Sequence, residues 1–378
     1  MNTKLARDMG LEFPIFAFTH CRDVAAAVSK AGGIGVFGVA AHSAGGLRAE
    51  LEWIEKEIGD KPYGVDLLLP TRFIGSDKAG GFSLDELDSK IPESHRQFLD
   101  DLLEQHSVPA LPEDTSLGDG LAVGYDRQKE IIEIVFEHNI SLIASALGPP
   151  PSWMVDMSRE KNVKVAALAG TVEHAKRHVE AGVDIVVAQG TEAGGHTGHV
   201  STMVLVPEVV DAVGEIPVLA AGGIGSGRQI AASLALGAQG VWLGSLWLTT
   251  EEAETHPVVK EKFLQASSSD TIRSRSLTGK PARQLRSAWT DAWDDPANPD
   301  PLPMPLQPRL IREAQARIAR TAHKSAGAAQ LSNYFVGQIV GSMNHTKSVR
   351  SVMEELVIEF ADTMDRLDDW TNFETDAE

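Results

Sequence analysis

Short apolar runs alternate with helix-period segments along most of this chain. The runs are Phe13–Phe18, Gly33–Phe37, Tyr63–Leu69, Ile140–Ser145, Val163–Leu168, Asp184–Gln189, Pro217–Ala220 and Gly240–Leu243. They are nearly continuous in apolar residues, the pattern of strands buried on both faces. Amphipathic segments follow most of them, at Arg22–Ala31, Leu47–Ile58, Arg127–His138, Val172–Ala181 and Arg228–Leu236, with one more starting near Pro151. Eight strand-then-helix units predict an α/β fold, a (β/α)8 TIM barrel; a doubly wound sheet is the structural alternative.

Two stretches interrupt the rhythm. Residues 71–120 are polar, acidic and loop-rich, with one helix-like segment near Glu93–Glu104, and read as an insertion after the third strand. Between Asp294 and Pro308 lie six prolines, which predict irregular backbone. Helical patterns return at Leu310–Lys324 and Val349–Trp370, and the tail TNFETDAE is acidic and expected to fray. The division this predicts is a barrel over 1–266 carrying the 71–120 insertion, a smaller helical lid or substrate region over 267–345, and a C-terminal helix with acidic tail over 346–378.

Composition narrows the function. Hydrophobic residues make up 43% of 378, enough for a large core, and the formal charge of −19 repels nucleic acid and anionic membranes, so neither is an expected partner. Cys21 is the sole cysteine, which rules out an intrachain disulfide and a zinc site built on several thiolates; it reads as a small buried hydrophobe. The N-terminus has no apolar signal segment, and no apolar run reaches the roughly 18 residues of a membrane span. A cytoplasmic setting is the default expectation.

The candidate chemistry sits where predicted strands end. QGTEAGGHTGH, residues 189–199, follows the sixth strand and brings Gln189, Glu192 and His196 to the catalytic face of such a barrel. Gly194 and Gly195 leave room for a flat ligand against the backbone, and His196 is the candidate acid or base. His196 and His199 are three apart, but no further ligand follows at helical spacing, so no metal site is expected. AAGGIGSG ends the seventh strand at Gly222-Gly223, and 21 residues later the eighth ends at Gly244-Ser245. Paired glycine turns there, with a helix start near Ser226, predict a phosphate site made of backbone N–H groups; tight turns alone are the plainer reading. His20 is read as a neighbour of a helix cap before a second catalytic group, and Trp242 and Trp247 as packing residues.

These elements resemble the nitronate monooxygenase family, formerly 2-nitropropane dioxygenases, which includes flavin-dependent enoyl-acyl-carrier-protein reductases. FPIFAF, AGGIGVFG, GVDIVVAQGTEAGGHTGH, IPVLAAGGIGSG, GAQGVWLGS and TGKPARQLRS carry the likeness, leaving 71–120 and about the last thirty residues outside it. The resemblance implies a TIM barrel with FMN at its mouth. Gly222, Gly223, Gly244 and Ser245 would then hold the FMN phosphate, and Ala17, Phe18, Thr19, Gln189, Gly194 and Gly195 would touch the flavin. His196 matches the histidine that removes the proton α to a nitro group. Two positions depart from some members: Asp66 stands for Asn, and Leu168 for a flavin-facing Lys. The opening segment, GVDLLLP and the insertion resemble a branch acting on acyl-CoA intermediates of steroid-ring breakdown.

The expected activity is FMN-dependent oxidation of nitronates or nitroalkanes with O2. The runner-up is reduction or dehydrogenation of an acyl-CoA or enoyl thioester with NAD(P)H. A flavin-free phosphate-binding lyase or isomerase, and a flavin carrier without catalysis, are the rivals outside that class. The expected partners are accordingly a small-molecule substrate with O2 or NAD(P)H, and the sequence leaves room for a homodimer.

Overall fold

The computed structural model describes residues 1–378 apart from 41, 71–73, 75–81, 113, 114, 116, 118–124 and 372–378. Parts of the predicted insertion, and all but the first residue of the acidic tail, therefore lie outside the described residues. The strands are β1 (Ile15–Thr19), β2 (Ile34–Gly38), β3 (Tyr63–Leu68), β4 (Leu142–Ala146), β5 (Lys164–Ala169), β6 (Ile185–Gln189), the two-residue β7 (Gly195–His196), β8 (Val218–Ala221), β9 (Gly240–Leu243), β10 (Thr271–Ser274) and β11 (Ala282–Leu285). Eight of them, β1–β6 with β8 and β9, form a closed parallel barrel in which β9 returns to β1. This is the (β/α)8 TIM barrel, and the doubly wound alternative falls away because the sheet has no edge. β1 and β8 begin just after Pro14 and Pro217, which have no N–H to give a ladder.

Alternation along each strand sorts the side chains. Phe16, Val36, Leu142, Ala166, Val187 and Leu219 pack inside the barrel. Their neighbours Ala17, Phe37, Ile143, Ala167, Ala188 and Ala220 pack outward against the helices. A short helix with no counterpart in the hydrophobic pattern, Lys4–Asp8, adds Leu5 and Ala6 to the interior cluster. It is tied down by Thr3 Oγ1 donating to the Gln239 carbonyl at 2.7 Å and the Leu5 N–H donating to Gln239 Oε1 at 3.1 Å.

The helix after the eighth barrel strand arrives late in the chain. Val349–Thr371 packs against both Arg22–Lys30 and Gly227–Ala235, filling the slot between the first and seventh crossover helices. Glu359 accepts from the Gly227 N–H at 2.8 Å, and Gly227 itself is the contact point of the two helices. Residues 244–348 therefore leave the barrel and return between the last strand and the helix that completes the ring.

A second apolar core lies outside the barrel. Leu87, Ile91, Leu99 and Leu103, from the segment after β3, pack with Trp289, Trp293, Leu310 and Ile318 from the segment after β11. Arg309 donates to both Asp88 carboxylate oxygens, at 2.7 and 2.5 Å. The described part of the insertion thus shares one core with the lid. The lid is not wholly helical: β10, β11 and β7 form an antiparallel three-stranded sheet. The proline-rich stretch also ends sooner than its composition predicts. The helix Leu306–Thr321 includes Pro308, whose position in the first turn needs no intrahelical N–H bond. Among the described residues no helix is long and apolar enough to cross a membrane.

Two glycine substitutions test the helix packing with opposite signs. Gly45 lies in the helix Ala44–Ile58 with open space where a Cβ would go, so Gly45→Ala should raise the unfolding free energy by about 0.5 kcal/mol. A Cβ on Gly227 would lie 2.2 Å from the Phe360 nitrogen and 2.5 Å from the Leu356 oxygen. Gly227→Ala should therefore cost about 1–3 kcal/mol despite alanine's better helix propensity. Urea unfolding of both variants measures this, and a Gly227→Ala protein as stable as the parent would contradict the docking of the last helix.

Candidate active site

The C-terminal ends of the barrel strands open into a cavity of about 1070 Å³, roofed by the lid. The barrel supplies its floor, while Thr278, Lys280, Gln315, Ile318, Tyr334 and Phe335 close over it from the lid. Small-molecule pockets run to about 300–1,000 Å³, so there is space for a cofactor and a substrate together. Nine buried side-chain polar atoms have no partner among the described residues. Five of them line this cavity: Asp66 Oδ2, His178 Nδ1, Thr197 Oγ1, Gln315 Nε2 and Asn333 Oδ1. Native interiors satisfy almost all such atoms, so their concentration marks a surface that a polar ligand completes.

The glycine turns after β8 and β9 build one end of the cavity. Gly222 and Gly223 have φ of +106° and +67°, in the region that favours glycine. Among the described residues, the N–H groups of Gly222, Gly223, Ile224 and Gly244 donate to no protein acceptor. The loop is braced from behind by Gln229, whose Nε2 donates to the Gly223 carbonyl at 2.6 Å while its Oε1 accepts from the Gly225 N–H at 2.9 Å. Ser226 caps the helix Gly227–Ala235, directing its N-terminus into the same turn. A Cβ at Gly244 would meet only Phe18, at 3.7 Å. The Ser245 hydroxyl accepts from the Gly337 N–H at 2.8 Å and keeps its own proton to donate. This is an anion cradle of backbone donors with no lysine or arginine in it, and it fits a phosphate.

The histidine loop forms the wall beside it. Gly195 and His196 constitute β7 and pair antiparallel with Arg283 and Ala282 of β11. Two arginines hold the rest of the loop: Arg283 donates to the Thr191 carbonyl at 2.8 Å and Arg273 to the Thr197 carbonyl at 2.9 Å. Arg273 also contacts His199 Nδ1 at 2.7 Å, so His199 faces a guanidinium. Glu192, read as a site candidate, instead accepts from the N–H and hydroxyl of Thr202 and orders the start of the helix Thr202–Val213.

His196 Nε2 lies 2.9 Å from Thr278 Oγ1. That hydroxyl donates to the Lys280 carbonyl at 3.1 Å, so its lone pair receives the Nε2 proton. Nδ1, with no protein partner among the described residues, is then the basic nitrogen. Burial, with a smaller effect from the nearby Lys280 ammonium, pushes the imidazole from its usual 6.5 down to about 4. Phe335 lies at 6.2 Å, tilted by 40°.

The structure gathers Phe18, Thr19, Gln189, Gly194, Gly195, His196, Gly222, Gly223, Gly244 and Ser245 around this one cavity. Ala17 stands apart: it is fully buried and faces the helices, as strand alternation requires once Phe18 points inward. Gly194 serves packing, since a Cβ there would lie 2.8 Å from the Gly337 nitrogen, whereas a Cβ at Gly195 would meet nothing. His20 directly precedes Cys21, the N-cap of the helix Arg22–Lys30, and it also lines the cavity. Cys21 is buried, as are Trp242 and Trp247. Thr278, Lys280, Gln229 and the two arginines were not legible as site residues. For Thr278, Lys280 and Arg283 the sequence signal is the TGKPAR element, 82 residues from His196 at its threonine, whereas Gln229 and Arg273 lie outside it.

The chain matches the model of the nitronate monooxygenase family over residues 10–359, a span that takes in the 71–120 segment. It is 58% identical to a putative monooxygenase of Mycobacterium tuberculosis over 97% of this chain and 98% of that one. A probable nitronate monooxygenase of Staphylococcus saprophyticus is 30% identical over 97% and 99% of the two chains. Among solved structures, a nitroalkane oxidase from Streptomyces ansochromogenes superposes with a TM-score of 0.78 at 26% identity, covering 96% of this chain and 99% of the other. FabK from Thermotoga maritima gives 0.71 at 26% identity over 98% and 99%. The family is generally flavin-dependent, and with its motifs gathered at the mouth of its barrel this chain belongs to it: it is an oxidoreductase of the nitronate monooxygenase family.

Proposed function

We propose that the chain binds FMN in the cavity under the lid and oxidises nitronates and nitroalkanes with O2. The carrying observation is an imidazole whose Nδ1 has no protein partner among the described residues, lining the same cavity as a cradle of unpaired backbone N–H groups. Gly222, Gly223, Gly244 and Ser245 would hold the phosphate, with Phe18, Thr19, Gln189 and Gly195 along the ring. When bound, the flavin supplies the electron transfer and the activation of O2.

The chain's residues do the rest. Thr278 fixes the tautomer and ring plane of His196, leaving Nδ1 to take the proton from the carbon bearing the nitro group. A base held near 4 is unprotonated throughout the neutral range, though its resting driving force is small. The anion formed beside the ring then favours the imidazolium, recovering part of that driving force. The half-buried Lys280, also at the cavity, adds a positive charge that favours the anion. Phe335, Ile318 and Leu147 wall the site with apolar surface that excludes water.

A second reading has support in the cavity size and the likeness to FabK: reduction of an acyl or enoyl thioester with NAD(P)H. Anaerobic mixing with NADH or NADPH separates the two, because the reductase reading requires the nicotinamide to bleach the flavin within a turnover and the monooxygenase reading does not.

His196→Asn should retain FMN and still oxidise a preformed nitronate, but lose at least roughly a hundredfold in kcat/KM with neutral nitroethane. Oxygen uptake with the two substrates measures this, and undiminished nitroethane turnover refutes the base assignment. Gly223→Asp should purify colourless and fail to take up FMN, since the new carboxylate stands against the phosphate; a yellow variant would displace the phosphate from that turn.

The same imidazole makes stability depend on pH. Its folded value of about 4 lies below the ordinary 6.5, so the unfolded chain binds the proton first as pH falls. Its contribution is whole above 6.5 and is lost progressively as pH drops to 4, by up to about 3 kcal/mol before water in the cavity trims the figure. Urea unfolding between those limits should show a shallower pH slope for His196→Asn than for the parent, and equal slopes would show that the imidazole titrates normally.

A further inference from the structure

Asp66 is a buried carboxyl that the chemistry above does not use. It is 7% exposed, and neither of its oxygens has a hydrogen-bond partner among the described residues. On β3 the neighbouring side chains Val65 and Leu67 pack outward, so Asp66 faces the barrel axis, at the level where the interior opens into the cavity. Its register partners are Gly38 on β2 and Ala144 on β4, neither of them titratable.

The titratable groups lining the cavity from other elements are His20 and Cys21 after β1, His174, Arg177 and His178 on the helix Val172–Glu180, Glu254 and His256 after β9, and Lys280, Tyr334 and His196 under the lid. None of them bonds or ion-pairs with Asp66 among the described residues. Leu168 on β5 adds only apolar surface. Burial alone acts on this carboxyl and pushes it well above the usual carboxylate range. An ionised carboxylate with no donor and no cation is the costliest state for such a site, and the neutral acid is the state that escapes the cost. A neutral acid also presents an O–H, which a carboxylate lacks. Facing a ligand cavity, that O–H points to an acceptor on the ligand.

We propose that Asp66 is retained as a neutral carboxylic acid and donates its hydrogen bond to a carbonyl oxygen or imine nitrogen of the flavin ring, making it a cofactor-positioning residue. The inference rests on the flavin reading above. It predicts that a neutral donor is what the position requires. Asp66→Asn keeps an N–H donor of the same shape without charge and should hold FMN within about threefold of the parent affinity, whereas Asp66→Leu should lose roughly tenfold. The parent's affinity should also fall as pH rises and the acid ionises, while that of Asp66→Asn stays level.

Infrared difference spectra of parent minus Asp66→Asn at neutral pH, recorded with and without FMN, decide the matter. The expected result is a protonated-carboxyl C=O band in the parent, absent from the variant and shifted when FMN binds. FMN uptake with no such band, or with a band that FMN leaves in place, overturns the assignment and spares the flavin reading. A protein that shows the band but takes up no FMN overturns the flavin reading and this inference with it. Since the band belongs to the protein alone, the two failures are told apart.

Discussion

The pairing of β7 with β11 is the contact on which the site depends. Two residues, Gly195 and His196, leave the barrel rim and join the lid sheet through Arg283 and Ala282. A two-residue strand has no stability of its own. It exists because β10 and β11 form a ladder beside it and because Arg273 and Arg283 hold the carbonyls on either side. The arrangement sets the histidine from two directions. Its backbone is fixed by the lid strand, and its Nε2 by a threonine four residues before that strand begins. Floor and roof of the cavity are thereby locked at the point where proton chemistry would occur.

The charge pattern follows a similar economy. A chain of net charge −19 offers a poor surface for collecting anions. The cradle after β8 and β9 uses unpaired amides and one hydroxyl, so its attraction is local and independent of the surface. Gln229 is the piece that makes this work. It takes the Gly223 carbonyl and the Gly225 amide, while the N–H groups of Gly222, Gly223 and Ile224 have no protein acceptor among the described residues. In contrast, the arginines of the site point into backbone carbonyls and give shape to the histidine loop.

How much of this the sequence discloses depends on the kind of signal. Strands buried on both faces read clearly, so all eight barrel strands and the glycine turns at their ends were legible. Facing was harder to read. Ala17 and Phe18 are adjacent, and only the observed register shows that Phe18 faces the cavity and Ala17 the helices. Glycine is ambiguous for a related reason. Gly194 and Gly195 both look like room for a ligand, yet the first is small because Val336 and Gly337 press on it. Contacts across long separations left almost no trace. Thr278 and His196 are 82 residues apart, and Glu359 reaches Gly227 across 132. The last helix reads as an appendage until its packing against both ends of the helix ring is seen.

The shared core of the insertion and lid carries a consequence for specificity. Leu99 and Leu103 lie in a segment that interrupts the barrel after β3, yet they pack with Leu310 and Ile318 of the lid. Ile318 belongs to both surfaces: it is buried in that second core and lines the cavity. Close-packed interiors transmit volume changes to their neighbours. A change of side-chain size in the insertion, remote from the glycine cradle, therefore acts on the roof of the cavity. The glycine cradle is built mainly from turns within the barrel, with Gly337 of the lid bonded to Ser245, and the roof of the cavity from long-range packing outside it. The roof around Ile318 is thus set by contacts in which the glycine turns take no part.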